Sequence, residues 1–133
     1  MPKGDPRFDK GMEIRRAMFG PAGADQQYES SPEFLKPLQE VVTSYCFGDT
    51  WARPGIEPKL RSLLTLAILV QQGKLMQLKL HVRGAVANGA TVAEIQEVLL
   101  HAMTYAGVPA GVDAFLAAAE VLGEMGLLEG KKK

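Results

Sequence analysis

Several things are scarce in this sequence of 133 residues, and each scarcity narrows the answer. Cys46 is the single cysteine, so no disulfide forms within the chain, and a lone thiol suits a reducing compartment. Neither sign of charge is in excess, because 15 Lys and Arg face 15 Asp and Glu. That balance removes the electrostatic argument for nucleic acid or an anionic membrane as a partner. The only basic run, Lys131-Lys132-Lys133, reads as a solvated tail. Long apolar runs are missing too: the most apolar segment, Leu60 to Val70, is interrupted by Arg61 and is too short to span a bilayer. The opening MPKGDPRFDKG lacks the apolar core of a secretory signal. The expectation is a cytoplasmic protein with no membrane and no nucleic-acid partner.

Chemical signatures are equally sparse. No glycine-rich phosphate loop follows a strand, no GxSxG elbow is present, and Cys46 has no evident base. The two histidines stand in no HxxxH or ExxH spacing, so no metal site is expected. Nothing alternates with the period of a strand, nothing repeats, and no linker divides the chain. The sequence therefore predicts an all-α single domain over residues 1–133, a bundle of about six helices with its core at about 8–122 and a tail at 126–133.

What is present is helical punctuation. Asp5-Pro6 opens a first helix with a cap and a proline at its first position, and Gly20-Pro21-Ala22-Gly23 breaks it. Phe8, Met12, Arg15 and Phe19 share about one face of it, while Arg15 and Arg16 near its end complement the helix dipole. Ser31-Pro32 repeats the signal for a helix reaching Tyr45, in which Pro37 must lie in the first turns. CFGDTWARPG then reads as an irregular segment whose Phe47 and Trp51 cover a core edge or wall a pocket. Glu57-Pro58 starts a helix that is apolar nearly all round. A helix of that kind sits at the centre, sheltered in part by another subunit, so oligomerisation is expected.

The stretch Gln77 to Pro109 holds both histidines. Its first helix, about Lys74 to Asn88, closes at Gly89, and its second, about Val92 to Ala106, opens on a Thr91/Glu94 capping box. A last helix, about Ala110 to Met125, is rich in alanine and suited to close packing. His81 falls at the rim of the buried face of its helix, where an imidazole is partly desolvated yet within reach of a ligand. Glu97, His101 and Tyr105 follow at i, i+4 and i+8 as a polar stripe, and the spacing allows Glu97 to bond His101.

LRSLLTLAILVQQGKLMQLKLHVRGAVANGATVAEIQEVLLHAMTYAGVPAGVDAF, with FDKGMEIRRAMFG and FGDTWARPG before it, resembles the carboxymuconolactone decarboxylases over about Phe8 to Leu122. The resemblance implies an alkylhydroperoxidase-D-like helical subunit assembled as a homo-oligomer, a trimer or hexamer. It further implies cofactor-free loss of CO2 from 4-carboxymuconolactone, giving 3-oxoadipate enol-lactone in protocatechuate degradation. The small-molecule partner is then a carboxylated lactone. On that reading His81 is catalytic with Glu97 and His101, and Arg16, Trp51, Arg53 and Tyr105 bind substrate, with Arg83 a further cation. Lys74 and Gln77 stand where alkylhydroperoxidase-D-like relatives carry a Cys-x-x-Cys pair, which excludes thiol reductase chemistry. Gln77 also replaces a frequent Glu and Phe47 a frequent Trp. Those two replacements leave open another carboxylated lactone, handled by a related lyase or isomerase, or a non-catalytic oligomeric small-molecule binder.

Overall fold

The computed structural model describes residues 4–129, and every regular element among them is helical. The basic run at the C-terminus lies outside the described residues. Contacts group the helices into two compact units, one ending at Pro58 and one beginning at Lys59.

In the first unit α1 spans Pro6–Phe19; the Asp5 side chain accepts from the Arg7 N–H at 2.9 Å and Gly20 ends the helix at φ 74°. Phe8, Met12 and Met18 are buried. A short α2, Asp25–Ser30, follows, and Tyr28 on it meets the edge of Phe8 at 5.2 Å between ring centroids. After a 3-10 turn at Glu33–Leu35, α3 occupies Lys36–Val41 with Pro37 in its first turn, where a missing N–H costs nothing.

The helix then does not stop. Val42–Trp51 continues it in π winding, so the irregular segment expected from Cys46 onward shrinks to residues 52–57. The reason lies in Gly48, which marks a contact and not a break. A Cβ on Gly48 would overlap the Arg7 carbonyl, and one on Gly11 would overlap the Thr43 carbonyl. α1 and the π-wound segment thus touch backbone to backbone at two places.

The second unit holds α4 (Pro58–Gln72), α5 (Leu75–Ala87), α6 (Val92–Ala106) and α7 (Val108–Glu124). Gly73, Gly89 and Gly107 separate them, with φ values of 68°, 98° and 111° that only glycine adopts without strain. The capping box forms as the sequence requires: Thr91 Oγ1 accepts from the Glu94 N–H and the Glu94 carboxylate accepts from the Thr91 N–H, both at 3.0 Å. Leu66, Leu78, Val82, Ile95 and Leu99 are essentially inaccessible to solvent, and Ala114, Ala117 and Ala118 let α7 lie close against them.

α4 is not buried on every side within the chain. Leu66, Leu69 and Val70 face the core, whereas Leu60, Leu64 and Ile68, at i, i+4 and i+8, are 41%, 49% and 57% exposed. α5, α6 and α7 supply cover for one face of α4 only, and its outer row remains an apolar stripe.

The glycine contacts give a test of magnitude. Alanine at Gly11 gains about 1 kcal/mol in helix propensity, but its Cβ has no room against backbone, and overpacking of that kind costs about 1–3 kcal/mol or more. Gly11→Ala is therefore expected to lower the denaturation midpoint in urea, and Thr91→Ala to lower it by the loss of a cap, about 1 kcal/mol. A Gly11→Ala variant as stable as the parent contradicts the backbone contact.

Candidate active site

His81 sits in the middle of α5, flanked by the fully buried Leu78 and Val82 on one side and by exposed Gln77 and Leu80 on the other. The residue is half-buried and its Nδ1 is inside. That is the rim position the helix geometry predicts. Burial pushes the imidazole below its ordinary pKa of 6.5, because removing water penalises the charged form. At neutral pH His81 is then a neutral ring, one nitrogen donating and the other accepting.

Polar ties hold α5 in place. Asn88 donates to the hydroxyl of Ser62, itself wholly buried on α4, at 3.0 Å. On the outer side Lys79 pairs with Glu120 at 3.0 Å and Arg83 with Glu124 at 2.7 Å, both across to α7. Arg83, the further cation of the expected site, is thus engaged by a carboxylate of its own unit. Exposed pairs of this sort contribute only about 0–1 kcal/mol each, so they orient α5 more than they stabilise it.

The α6 stripe is present as a row but not as a network. Glu97, His101 and Tyr105 are all exposed, Tyr105 by 80%. Among the described residues the Glu97–His101 bond that the spacing allows is not made; His101 instead lies against the Tyr105 ring, 5.2 Å between centroids and tilted by 40°. Glu94, one turn earlier, is taken up by the capping box and by Lys59 at 3.1 Å, which together hold its carboxyl below the usual range.

In the first unit Arg16 gives two hydrogen bonds to Asp25, at 2.6 and 3.1 Å. An open groove of about 470 Å³ beside it is lined by Asp9, Glu13, Asp25 and Glu29 as well as Phe8 and Tyr28. Four carboxylates around one guanidinium make a negative field, which disfavours an anionic ligand there. Trp51 is half-buried with its ring 5.7 Å from that of the buried Phe47, and Phe19 at the end of α1 meets Phe47 edge-on at 6.2 Å, so the three rings pack in a row. Arg53 lies exposed two residues on, its N–H donating to the Thr50 carbonyl at 3.1 Å.

The residue that sequence reasoning misplaced is Arg15. It does not project toward solvent at the helix end but is 4% exposed, its guanidinium donating to Gln39 Oε1 (2.9 Å), Thr43 Oγ1 (2.8 Å), the Gly23 carbonyl (3.0 Å) and Gln27 Oε1 (2.7 Å). Burial lowers its pKa and nearby Asp25 acts against that. The sequence already places Arg15 on one face with Phe8 and Met12, and that face is the buried one.

Comparisons with known proteins agree in kind. The model of the carboxymuconolactone decarboxylase family matches residues 36–120, which include α3, the π-wound segment, α4, α5, α6 and most of α7. A nitrosuccinic acid decarboxylase of Metarhizium robertsii is 36% identical over 118 residues, 89% of this chain and 82% of that protein. A 4-carboxymuconolactone decarboxylase of Acinetobacter baylyi is 33% identical over 121 residues, 91% of this chain and 90% of that protein. An uncharacterized 15.0 kDa protein of Paracoccus denitrificans is 34% identical over 88% of both chains.

Burial of His81 makes stability depend on pH with a definite sign. The unfolded chain binds the imidazole proton at about pH 6.5, the folded chain only below it, so the unfolded state carries more protons in that window. This contribution is complete above pH 6.5 and is lost as pH falls through the folded value. His81→Gln should flatten that part of the stability profile, read from urea midpoints between about pH 7.5 and pH 5.5. An unchanged slope places the ring in water.

Proposed function

The chain belongs to the carboxymuconolactone decarboxylase family, and on that footing we propose that it is a cofactor-independent carboxy-lyase converting 4-carboxymuconolactone to 3-oxoadipate enol-lactone. The observation that carries it is His81, a half-buried imidazole on α5 with its Nδ1 turned inside, within the matched region.

The reaction needs little from a protein. The bond from the ring carbon to the departing carboxylate breaks, CO2 leaves, and the electron pair passes through the ring double bond onto the lactone carbonyl. A proton then returns to the carbon next to that carbonyl. What remains for the protein is to hold the carboxylates, to donate to the developing oxyanion and to deliver the proton. A neutral imidazole donates to an oxyanion without first having to lose or gain a charge, which gives His81 the donor role. Glu97 and His101 support it in this reading. Arg53 and Trp51 lie two residues apart, so a carboxylate ligand and an aromatic contact come from one segment, and Tyr105 adds a second aromatic contact; Arg16, paired with Asp25 and ringed by carboxylates, is given no substrate role.

The nitrosuccinic acid decarboxylase favours a second substrate. Nitrosuccinate and 4-carboxymuconolactone look unlike, yet in both the scissile carboxylate stands on a carbon that also bears a carboxymethyl arm and is conjugated, on loss of CO2, with an oxygen acceptor. In one the acceptor is a nitro group, in the other an unsaturated lactone carbonyl. A protein that grips the arm and donates to the acceptor serves either.

Purified protein offered each compound, with CO2 release and ultraviolet loss of the lactone followed, decides between them. His81→Ala is expected to reduce turnover roughly 100- to 1,000-fold, the usual cost of an oxyanion donor. Equal rates for parent and variant remove His81 from the reaction. Binding without turnover points to a small-molecule binder, and loss of lactone without CO2 to an isomerase.

The same reading includes a homo-oligomer, trimer or hexamer, and the exposed row Leu60, Leu64 and Ile68 supports it. Ile68→Glu should then lower the mass measured by light scattering toward that of one chain.

A further inference from the structure

The π-wound segment Val42–Trp51 is unusually long for a winding that mostly occurs as a single-turn bulge, so something must hold it. In this winding hydrogen bonds join residues five apart, and residues five apart return to one side. In an α-helix the same two residues diverge by about 140°. Thr43 and Gly48 are five apart, and both face α1: the Thr43 carbonyl against Gly11, and Gly48 against the Arg7 carbonyl. On α1 the matching residues Arg7, Gly11 and Arg15 follow at i, i+4 and i+8. α1 therefore fits this segment only while it stays π-wound.

Side chains fasten both ends of the contact. Arg15 donates to Thr43 Oγ1 at 2.8 Å, and the same hydroxyl donates to the Gln39 carbonyl at 2.7 Å, one turn back. At the far end Arg7 meets Asp49 at 3.2 Å. The exposed Arg7 pair is worth little. Arg15 and Thr43 are buried, with no water to replace a lost partner, so that end is the stronger. Beyond it the segment carries Phe47 and Trp51 in one row, four residues apart, with rings 5.7 Å apart.

We propose that Arg15 is a positioning residue: through the Thr43 hydroxyl it fixes the π-wound register, and that register places Trp51, which leans on the buried Phe47, where it meets substrate. The second half rests on the reading of Trp51 as a substrate contact given above. Arg15 itself, closed over by Gln27, Gln39, Thr43 and the Gly23 carbonyl, touches no substrate.

Trp51 is the only tryptophan, so its fluorescence reports its placement directly. Thr43→Val keeps the side-chain shape and removes the hydroxyl; Thr43→Ser keeps the hydroxyl. The valine variant is expected to shift Trp51 emission to longer wavelength and to raise KM about tenfold, equivalent to about 1.4 kcal/mol of binding, with kcat nearly unchanged. The serine variant should match the parent in both. Arg15→Lys retains the charge but not the planar fork and carries the same expectation as Thr43→Val, should the latter not fold. Unchanged emission in the valine and lysine variants, or an equal defect in the serine variant, overturns the proposal. Shifted emission with unchanged KM overturns its link to binding. A parent protein inactive on both candidate substrates defeats the functional reading instead, and emission alone then decides the register.

Discussion

The first unit depends on a cation held entirely by neutral oxygens. Arg15 gives four hydrogen bonds, two to glutamine side chains, one to a hydroxyl and one to a backbone carbonyl. A buried guanidinium costs several kcal/mol in desolvation, and that cost is offset only when its donors are satisfied together. Removing any one acceptor therefore weakens the others. Because the acceptors come from the turn after α1, from α2, from α3 and from the π-wound segment, one side chain on α1 ties these elements together. Apolar burial there is modest, with Phe8, Met12 and Ala24 forming a small cluster, so the polar hub carries an unusual share of the specificity.

The second unit is built the opposite way. Its core is aliphatic, its helices are set by caps and glycines, and its polar ties lie mostly at the rim. His81 is the exception, a titratable ring drawn partly into that core. A substrate that carries its own electron sink asks for a donor and a proton more than for a strong acid, and a desolvated neutral imidazole suits the first of these. The family and its two named decarboxylase relatives agree on the loss of a carboxylate while differing in what surrounds it.

Much of the fold was legible because it is written locally. The Asp5-Pro6 opening, the Thr91/Glu94 box and the stops at Gly89 and Gly107 each depend on residues within one turn of one another, and all appear where the sequence places them. The failures are tertiary. Gly48 looks like a helix breaker until Arg7 is known to lie against it, and Arg15 looks like a dipole charge until Gln27, Gln39 and Thr43 close around it. Pairing of Arg16 with Asp25 and of Arg83 with Glu124 likewise joins residues that no spacing rule connects. The rim position of His81 was legible from its angle on the helix, but the degree of its desolvation was not, since that depends on what packs beside it.

Gly107 closes α6 and opens α7, a junction of a single residue with φ 111°. Such a joint has no slack. One residue inserted in the first turn of α7 would turn the rest of the helix by about 100° and lift it by about 1.5 Å, carrying the row of Ala114, Ala118, Val121 and Leu122 off the core. The length of chain between Thr91 and Leu122 is thus fixed by the packing of α6 and α7 on one core.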